Sequence, residues 1–473
     1  MAHDRTQLPG RARRRDIPSP TTDTETLGRL SRIVGDANVL IDPAVTTAYA
    51  TDWTQRWRSR DIVVVRPGSA REAVECLRVA GATDWPVQLQ GGNTGLVGGS
   101  HPLDRTLLIS TSRLRRLDLD NASDGFVVAD AGVTLAEMQQ AVRPLGWDPG
   151  IDMASRDLAT VGGMVATNAG GVSVLAHGMT AARAVSAEVF SVIGDPISTL
   201  HPLIKDNAGP RLDRLLIGSE GTLGMITKVA WRLVPWLPSR LTVAVPFADL
   251  ADAVAFVRDA RRLPGLIAAE AWDQTTSQLA GRAVGNRAAA ASSPGWTVLA
   301  EYASGQVDEQ MLAPIAHWLD DAVVATDGPG RRRLWAVRED APLALTRLGV
   351  PVKADITLPL AGLAKTANEL RRSLAAAEPD WLLAMFGHLG DGNLHLNAVG
   401  DGSDNAERAE RFLNTALEAV LELGGAVSAE HGLGRAKAQY LAAARPAEEP
   451  WLRRLKDTFD PDGRLNQGVL GLG

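Results

Sequence analysis

The 473-residue chain has a single cysteine, Cys76. An intrachain disulfide and a thiolate metal cluster are therefore excluded, and any bound metal must be held by histidine and carboxylate. Excess basic charge is also missing: Lys plus Arg total 49 against 55 Asp plus Glu, a net charge of -6. The basic run from Arg11 to Arg15 is too short to make a stripe, so nucleic acid is not the expected partner. No stretch approaches the roughly 18 uninterrupted apolar residues that a spanning helix needs. The N-terminal MAHDRTQLPGRARRRDIPSPTTDTETL has arginines but no apolar stretch after them, so it shows neither a secretory nor a twin-arginine signal and reads as a flexible tail. The expected setting is reducing and cytoplasmic, with at most peripheral contact at the inner membrane.

The length predicts two or three domains. Residues 62 to 90 read as a βαβ unit: IVVV is a buried strand, Ser69 and Glu72 form a capping-box pattern before an amphipathic helix, and VQLQ is the next strand. Thr134 and Glu137 repeat the capping box within VVADAGVTLAEMQQAV. From about residue 240 the texture changes to strands alternating with long Ala/Arg-rich helices, the mark of a separate α+β domain. Two prolines in VPWLPSR, residues 234 to 240, punctuate the change. The closing FDPDGRLNQGVLGLG is too rich in turn residues to be a domain and is expected to return to an earlier surface.

Three segments of the first half concentrate glycine: QGGNTGLVGGS (90 to 100), ATVGGMVATNAGG (159 to 171) and IGSEGTLG (217 to 224). Glycine lets the backbone approach a ligand and aim successive N–H groups at phosphate oxygens. Gly92, Gly95 and Gly98 are spaced by three, which is neither the G-x-G-x-x-G of a nicotinamide Rossmann turn nor a Walker loop with its lysine. Any one segment could be an ordinary loop; three in one half suggest a pyrophosphate cradle of another kind.

QGGNTGLVGGS, GGMVATNAGG and GSEGTLGMIT resemble the FAD-binding domain of the vanillyl-alcohol oxidase and p-cresol methylhydroxylase superfamily. Within it the chain is similar to the D-2-hydroxyacid dehydrogenases, the group of D-lactate dehydrogenase, the glycolate oxidase flavin subunit and D-2-hydroxyglutarate dehydrogenase, from about residue 45 to the C-terminus. The resemblance implies an α+β protein: a two-subdomain α/β FAD-binding domain of the p-cresol methylhydroxylase type with an α+β cap. The implied division is a tail and helix to residue 44, the FAD domain at 45–238, the cap with a metal site at 239–440, and a segment at 441–473 returning to the FAD domain. By the same resemblance Gly91, Gly92, Asn93, Thr94 and Gly95 hold the pyrophosphate. Thr160, Gly162, Gly163, Asn168, Gly170, Glu220, Gly221, Thr222, Gly224 and Asn466 flank the rest of the flavin. Covalent relatives carry a flavin-linking histidine inside the glycine-rich loop, whereas this chain has only His101 just after it, so noncovalent FAD is expected.

The segment GHLGDGNLHLN, residues 387 to 397, places two of the eight histidines on either side of an Asp-Gly pair. If Asp391 and Gly392 form a two-residue hairpin turn, His388 and His395 are directly opposed, with Cβ atoms roughly 4.5 to 5.5 Å apart. That arrangement suits a shared divalent ion, with Glu430 of AVSAEHGLGRAK as third ligand. A plain cross-strand pair in a core is the alternative the residues leave open. The resemblance implies the metal reading: His388, His395 and Glu430 as ligands of a divalent ion, zinc first and manganese or iron as alternatives, with His431 as general base.

A 2-hydroxy acid brings a carboxylate that a fixed cation should meet. Arg338 and Lys353 match carboxylate-binding positions of the hydroxyglutarate relatives, and Asn397 is implied to face substrate. Pro342 departs from the pattern, because those relatives have a threonine there that contacts substrate. The activity implied is oxidation of a D-2-hydroxy acid, D-2-hydroxyglutarate ahead of D-lactate and glycolate, by hydride transfer to flavin N5. A quinone, a cytochrome or an electron-transfer flavoprotein would reoxidise the flavin, and a homodimer is the expected assembly. The rivals are a metal-free flavin oxidase acting on a nonacidic alcohol and a noncatalytic flavin-binding subunit of a complex.

Overall fold

The computed structural model describes residues 19–203, 205–283, 295–305, 309–403 and 405–472. Most of the expected N-terminal tail, residues 1–18, lies outside them. Its last part is not a tail: Asp23 caps a helix at Thr24–Val34, which buries Leu30 and Val34 in the first core.

The apolar run after Asp61 gives strand Val63–Val65, fully buried, and Ser69 Oγ accepts from the Glu72 amide at 3.2 Å to start helix Ala70–Gly81. The reciprocal half of that capping box is displaced by one residue, since Glu72 receives the Gly68 amide. Thr134 and Glu137 form a complete box on helix Leu135–Val142. Strand Val63–Val65 lies parallel to Leu107–Ser110, which lies parallel to Val87–Gln90, and Val39–Leu40 adds an antiparallel edge. A second, antiparallel sheet runs in the order Leu117–Asp118, Phe126–Asp130, Met225–Arg232, Ala184–Phe190, Pro196–Ser198. One apolar cluster joins both sheets, from Leu30 to Leu233.

Beyond Leu233 a seven-stranded antiparallel sheet organises the chain, in the order Val323–Ala325, Ser239–Phe247, Trp296–Ser304, Leu266–Asp273, Leu382–Gly387, Asn393–Val399, Val352–Thr357. Alternation along the strands gives it two faces. One packs against helices Leu250–Ala260, Leu363–Ala377 and Ala406–Glu422 in the second core. The other carries Ala268, Trp272, Ala384 and Phe386 under helices Gln274–Ala283 and Gly328–Thr346.

The C-terminal segment returns to the first sheet. Val87 N donates to Arg464 O at 2.9 Å, Asn466 N donates to Val87 O at 2.8 Å, and Leu465 enters the first core.

Candidate functional site

The two-residue turn at Asp391-Gly392 does not form. Strand Leu382–Gly387 pairs with Asn393–Val399 in the register Phe386 to His395, two residues away from the expected one. The chain leaves the sheet after Gly387 and makes one 3-10 turn at Leu389–Asp391, and only Gly392 of the pair takes a left-handed φ, of 84°. A type I′ turn needs positive φ at both centre positions, so the loop is longer and His388 begins it rather than facing His395. The rings still meet edge-on, with centroids 5.5 Å apart.

His388, His395 and Glu430 come together, with one ligating atom from each lying within 4.8 Å of the others. His388 Nε2 is 3.4 Å from Glu430 Oε1. Its Nδ1 is held 2.5 Å from Glu270 Oε1, and His395 Nδ1 lies 3.4 Å from Asp355 Oδ1. Both imidazoles thus commit Nδ1 to a buried carboxylate and leave Nε2 for a ligand, the supporting pattern of metal-binding histidines. Two imidazole nitrogens and a carboxylate fit zinc, manganese or iron, so the donor set suits the implied ion.

Asp355 is the hub of this corner. Burial resists its ionisation, but the neighbouring His431, His395 and Lys437 prevail and hold its carboxyl well below the usual range. Oδ2 accepts from the amides of Ala429, Glu430 and His431 at 3.1, 2.9 and 3.3 Å, which fixes the loop carrying Glu430 and His431. The same oxygen lies 3.3 Å from His431 Nδ1. Asn393 donates to Oδ1 at 2.8 Å. Burial outweighs the Asp355 carboxylate and lowers the pKa of His431, leaving a neutral ring near neutral pH. Burial also opposes protonation of His388, yet Glu270 and Glu430 on either side raise its pKa well above the ordinary value.

Asn397 is buried and donates to His395 O at 3.2 Å. Lys353 is its partner in the sheet, exposed and on the same face as Asp355. Arg338 comes from helix Gly328–Thr346 and donates through Nε to Glu270 Oε2 at 2.8 Å, with its guanidinium above the Phe386 ring. Glu270 therefore joins the His388 and Arg338 positions. Pro342 sits inside the same helix, one turn beyond Arg338, and brings no side-chain hydroxyl there.

The glycine-rich segments pack against one another so closely that side chains are barred. A Cβ on Gly92 would lie 1.8 Å from Leu158 O, and one on Gly91 would lie 2.4 Å from Thr160 Oγ1. Asn93, Asn168, Glu220 and Asn466 all adopt positive φ, between 43° and 53°. Thr160 Oγ1 accepts from Gly163 N at the start of helix Val161–Thr167, and Gly162 packs on Ala131. Asn93 Oδ1 accepts from Ser100, folding QGGNTGLVGGS around Thr94 and Gly95. Asn466 Nδ2 donates to Glu220 O, Thr222 Oγ1 donates to Ser219 O, and Gly224 packs on Phe190 O. A Cβ on Gly170 would stand 3.5 Å from Glu430 Oε1, so the glycine-rich half reaches the cluster of His388, His395 and Glu430. A cradle of backbone with its side chains removed fits a dinucleotide's pyrophosphate.

Residues 237–470 match the family described as FAD linked oxidases, C-terminal domain, and residues 62–199 match an FAD binding domain. D-2-hydroxyglutarate dehydrogenase of Xanthomonas citri pv. viticola is 32% identical over 459 residues, covering 93% of this chain and 96% of the relative. The chain belongs to the FAD-linked oxidases. The mitochondrial D-2-hydroxyglutarate dehydrogenase of Bos taurus is 34% identical to this FAD-linked oxidase over 95% of the chain and 84% of the relative. D-lactate dehydrogenase of Archaeoglobus fulgidus is 32% identical over 87% and 91%. Among solved structures, p-cresol methylhydroxylase with substrate bound aligns at a TM-score of 0.74 and 15% identity over 95% of this chain and 96% of that one, which shows the fold. The protein is an FAD-linked oxidoreductase, and no helix among its described residues is long and apolar enough to cross a membrane.

Reading the sequence missed Glu270 and Asp355. Glu270 interrupts the apolar strand LIAAEAWD, and Asp355 stands between Ala354 and Ile356 in VKADIT, which was the signal available. A carboxylate buried in a regular strand requires a cationic or donor partner.

Proposed function

We propose that this FAD-linked oxidase oxidises a D-2-hydroxy acid to the 2-oxo acid, with D-2-hydroxyglutarate as first substrate. FAD would supply the acceptor for the C2 hydride, and a divalent cation between His388, His395 and Glu430 would supply Lewis acidity favouring loss of the hydroxyl proton. His431 receives that proton at Nε2, because Asp355 engages Nδ1 and the ring is neutral near neutral pH. Arg338 and Lys353 hold carboxylates of the substrate, and Asn397, which pairs with Lys353 in the sheet and donates to His395 O, faces it. The observation that carries the reading is the triad of His388, His395 and Glu430 meeting Gly170 of the flavin half. The names of the Xanthomonas and Bos relatives support the substrate.

We read the flavin as noncovalent, because His101 is buried and its Nε2 is 2.9 Å from Ser59 Oγ. D-Lactate is the second reading, favoured by Pro342, which leaves no hydroxyl one turn after Arg338, and by the name of the Archaeoglobus relative.

The test is anaerobic flavin bleaching with D-2-hydroxyglutarate, D-lactate, L-lactate and glycolate in turn, with and without a chelator. Rapid bleaching by D-2-hydroxyglutarate, lost on chelation and restored by a divalent ion, is expected. Bleaching by none of the acids would sink the substrate, and bleaching indifferent to chelation would remove the metal.

A further inference from the structure

Glu220 belongs to the glycine-rich GSEGTLG segment, yet its carboxylate points away from a purely structural role in that turn. It is buried, and burial pushes its pKa up to about 7 against the pull of two amides, Lys437 and Arg435. Its own backbone is pinned on both sides: the amide donates to Ala166 O at 2.7 Å and the carbonyl accepts from Asn466 Nδ2 at 2.8 Å. The carboxylate reaches the other half of the molecule. Oε1 accepts from Leu433 N and Oε2 from Gly434 N, each at 2.9 Å.

Those two amides immediately follow the Glu430-His431-Gly432 turn. A Cβ on Gly432 would lie 2.5 Å from Oε1, and one on Gly99 would lie 2.9 Å from Oε2, so glycine on both sides is what lets the loops close on the carboxylate. The next residues continue the attachment: Arg435 N and Ala436 N both donate to Val97 O, at 2.9 and 3.1 Å. Arg435 also donates to Gly98 O at 2.8 Å.

We propose that Glu220 is a positioning residue, whose carboxylate receives the amides that follow Glu430 and His431 and so sets the base against the flavin half. The proposal rests on the reading of His431 as base. Asp355 holds that turn from the sheet side through the amides of residues 429 to 431, and Glu220 holds it from the flavin side through those of 433 and 434. The turn is thus fixed at both ends by an acid from each half. A base displaced by a fraction of an ångström loses its alignment with the hydroxyl it must deprotonate, and a misplacement of about 1 Å can cost about 10²-fold in rate.

The chemistry of the two contacts dictates the variants. Both partners are donors, so Glu220→Gln offers one acceptor and turns an N–H against an N–H, although its shape is unchanged. Glu220→Asp keeps two acceptors on a stem one methylene shorter, so it should restore part of the function.

Wild type, Glu220→Gln and Glu220→Asp are purified with FAD and compared in three ways: flavin content, hydrogen exchange of the peptide spanning residues 429–436 without substrate, and anaerobic flavin reduction across a range of D-2-hydroxyglutarate. The Gln variant should keep its flavin, exchange the Leu433 and Gly434 amides faster by about tenfold or more, and lose about 10²-fold in limiting reduction rate. Its half-saturating acid concentration should stay within about threefold, because an interaction that acts on the reacting geometry lowers the rate rather than binding. The Asp variant should fall between the two. Unchanged exchange in the Gln variant, or a limiting rate within about threefold of wild type, overturns the proposal. So does loss of flavin from both variants, which would make Glu220 a cofactor-binding or folding element; if only the Gln variant loses flavin, the Asp variant's exchange and rate decide by the same limits. A wild type that no 2-hydroxy acid reduces would refute the function proposed above, while the exchange comparison would still decide the role of Glu220.

Discussion

In the glycine-rich half, the protein presents backbone: Asn93, Asn168, Glu220 and Asn466 are held at positive φ, and Gly91 and Gly92 leave no room for a side chain. On the sheet side, His388, His395, Glu430, His431, Asp355 and Glu270 have ordinary backbone and meet as histidine–carboxylate pairs around the buried acids Asp355 and Glu270. The first arrangement depends on shape and fails when a single carbon is added. The second depends on balance, since each of the three histidines has a carboxylate beside it, and fails when one partner is removed.

The sharpest break in this contrast is Gly92→Ala. The new carbon would meet a backbone oxygen at 1.8 Å, and backbone cannot swing aside as a side chain can. The variant should purify without flavin and show no reduction by any acid, read from the visible spectrum; a yellow, active Gly92→Ala would contradict the shape-limited account of the flavin side. Next comes His431→Asn, which should keep flavin and metal but slow the limiting reduction rate about 10³-fold. The pH profile of the wild-type limiting rate sharpens the same point. Because the His431 pKa is lowered from 6.5, its own protonation should slow the rate only on the acid side of that value, and a limb near pH 7 belongs to the Glu220 carboxyl and should vanish in Glu220→Gln. An acid limb centred above pH 7 that persists in Glu220→Gln would mean that another group is the base.

Glu270→Gln tests the balance on the sheet side. It removes the charge that holds both His388 and Arg338, so metal affinity should drop about 10- to 100-fold by direct titration while flavin content is unchanged. The smallest effect is expected at the exposed Lys353. Lys353→Ala should raise the half-saturating concentration of D-2-hydroxyglutarate about tenfold and leave that of D-lactate, which has no second carboxylate, nearly unchanged.

The two sides also differ in how far the sequence revealed them. Backbone demands leave a residue signature, so QGGNTGLVGGS and its companions stand out as glycine-rich loops of close backbone approach, and the closing FDPDGRLNQGVLGLG reads as a returning segment, whose Arg464 O and Asn466 N pair with Val87 in the first sheet. The cluster of His388, His395 and Glu430 was readable from the HLGDGNLH and EHG segments, and the structure brings the three side chains together. Their geometry was not, because turn type depends on whether both Asp391 and Gly392 adopt positive φ, and only the glycine does. Glu270 and Asp355 were missed for a different reason. An acid in an apolar strand shows that a partner exists but does not name it, and the partners are separated from Glu270 by 118 residues at His388 and from Asp355 by 76 at His431.

The measurement that tests the account most directly is metal titration of the chelated, flavin-loaded protein, wild type against His395→Ala. One divalent ion per chain in the wild type, with binding lost in the variant, is the result predicted by the convergence of His388, His395 and Glu430. No binding to the wild type, or equal binding to both proteins, would contradict it.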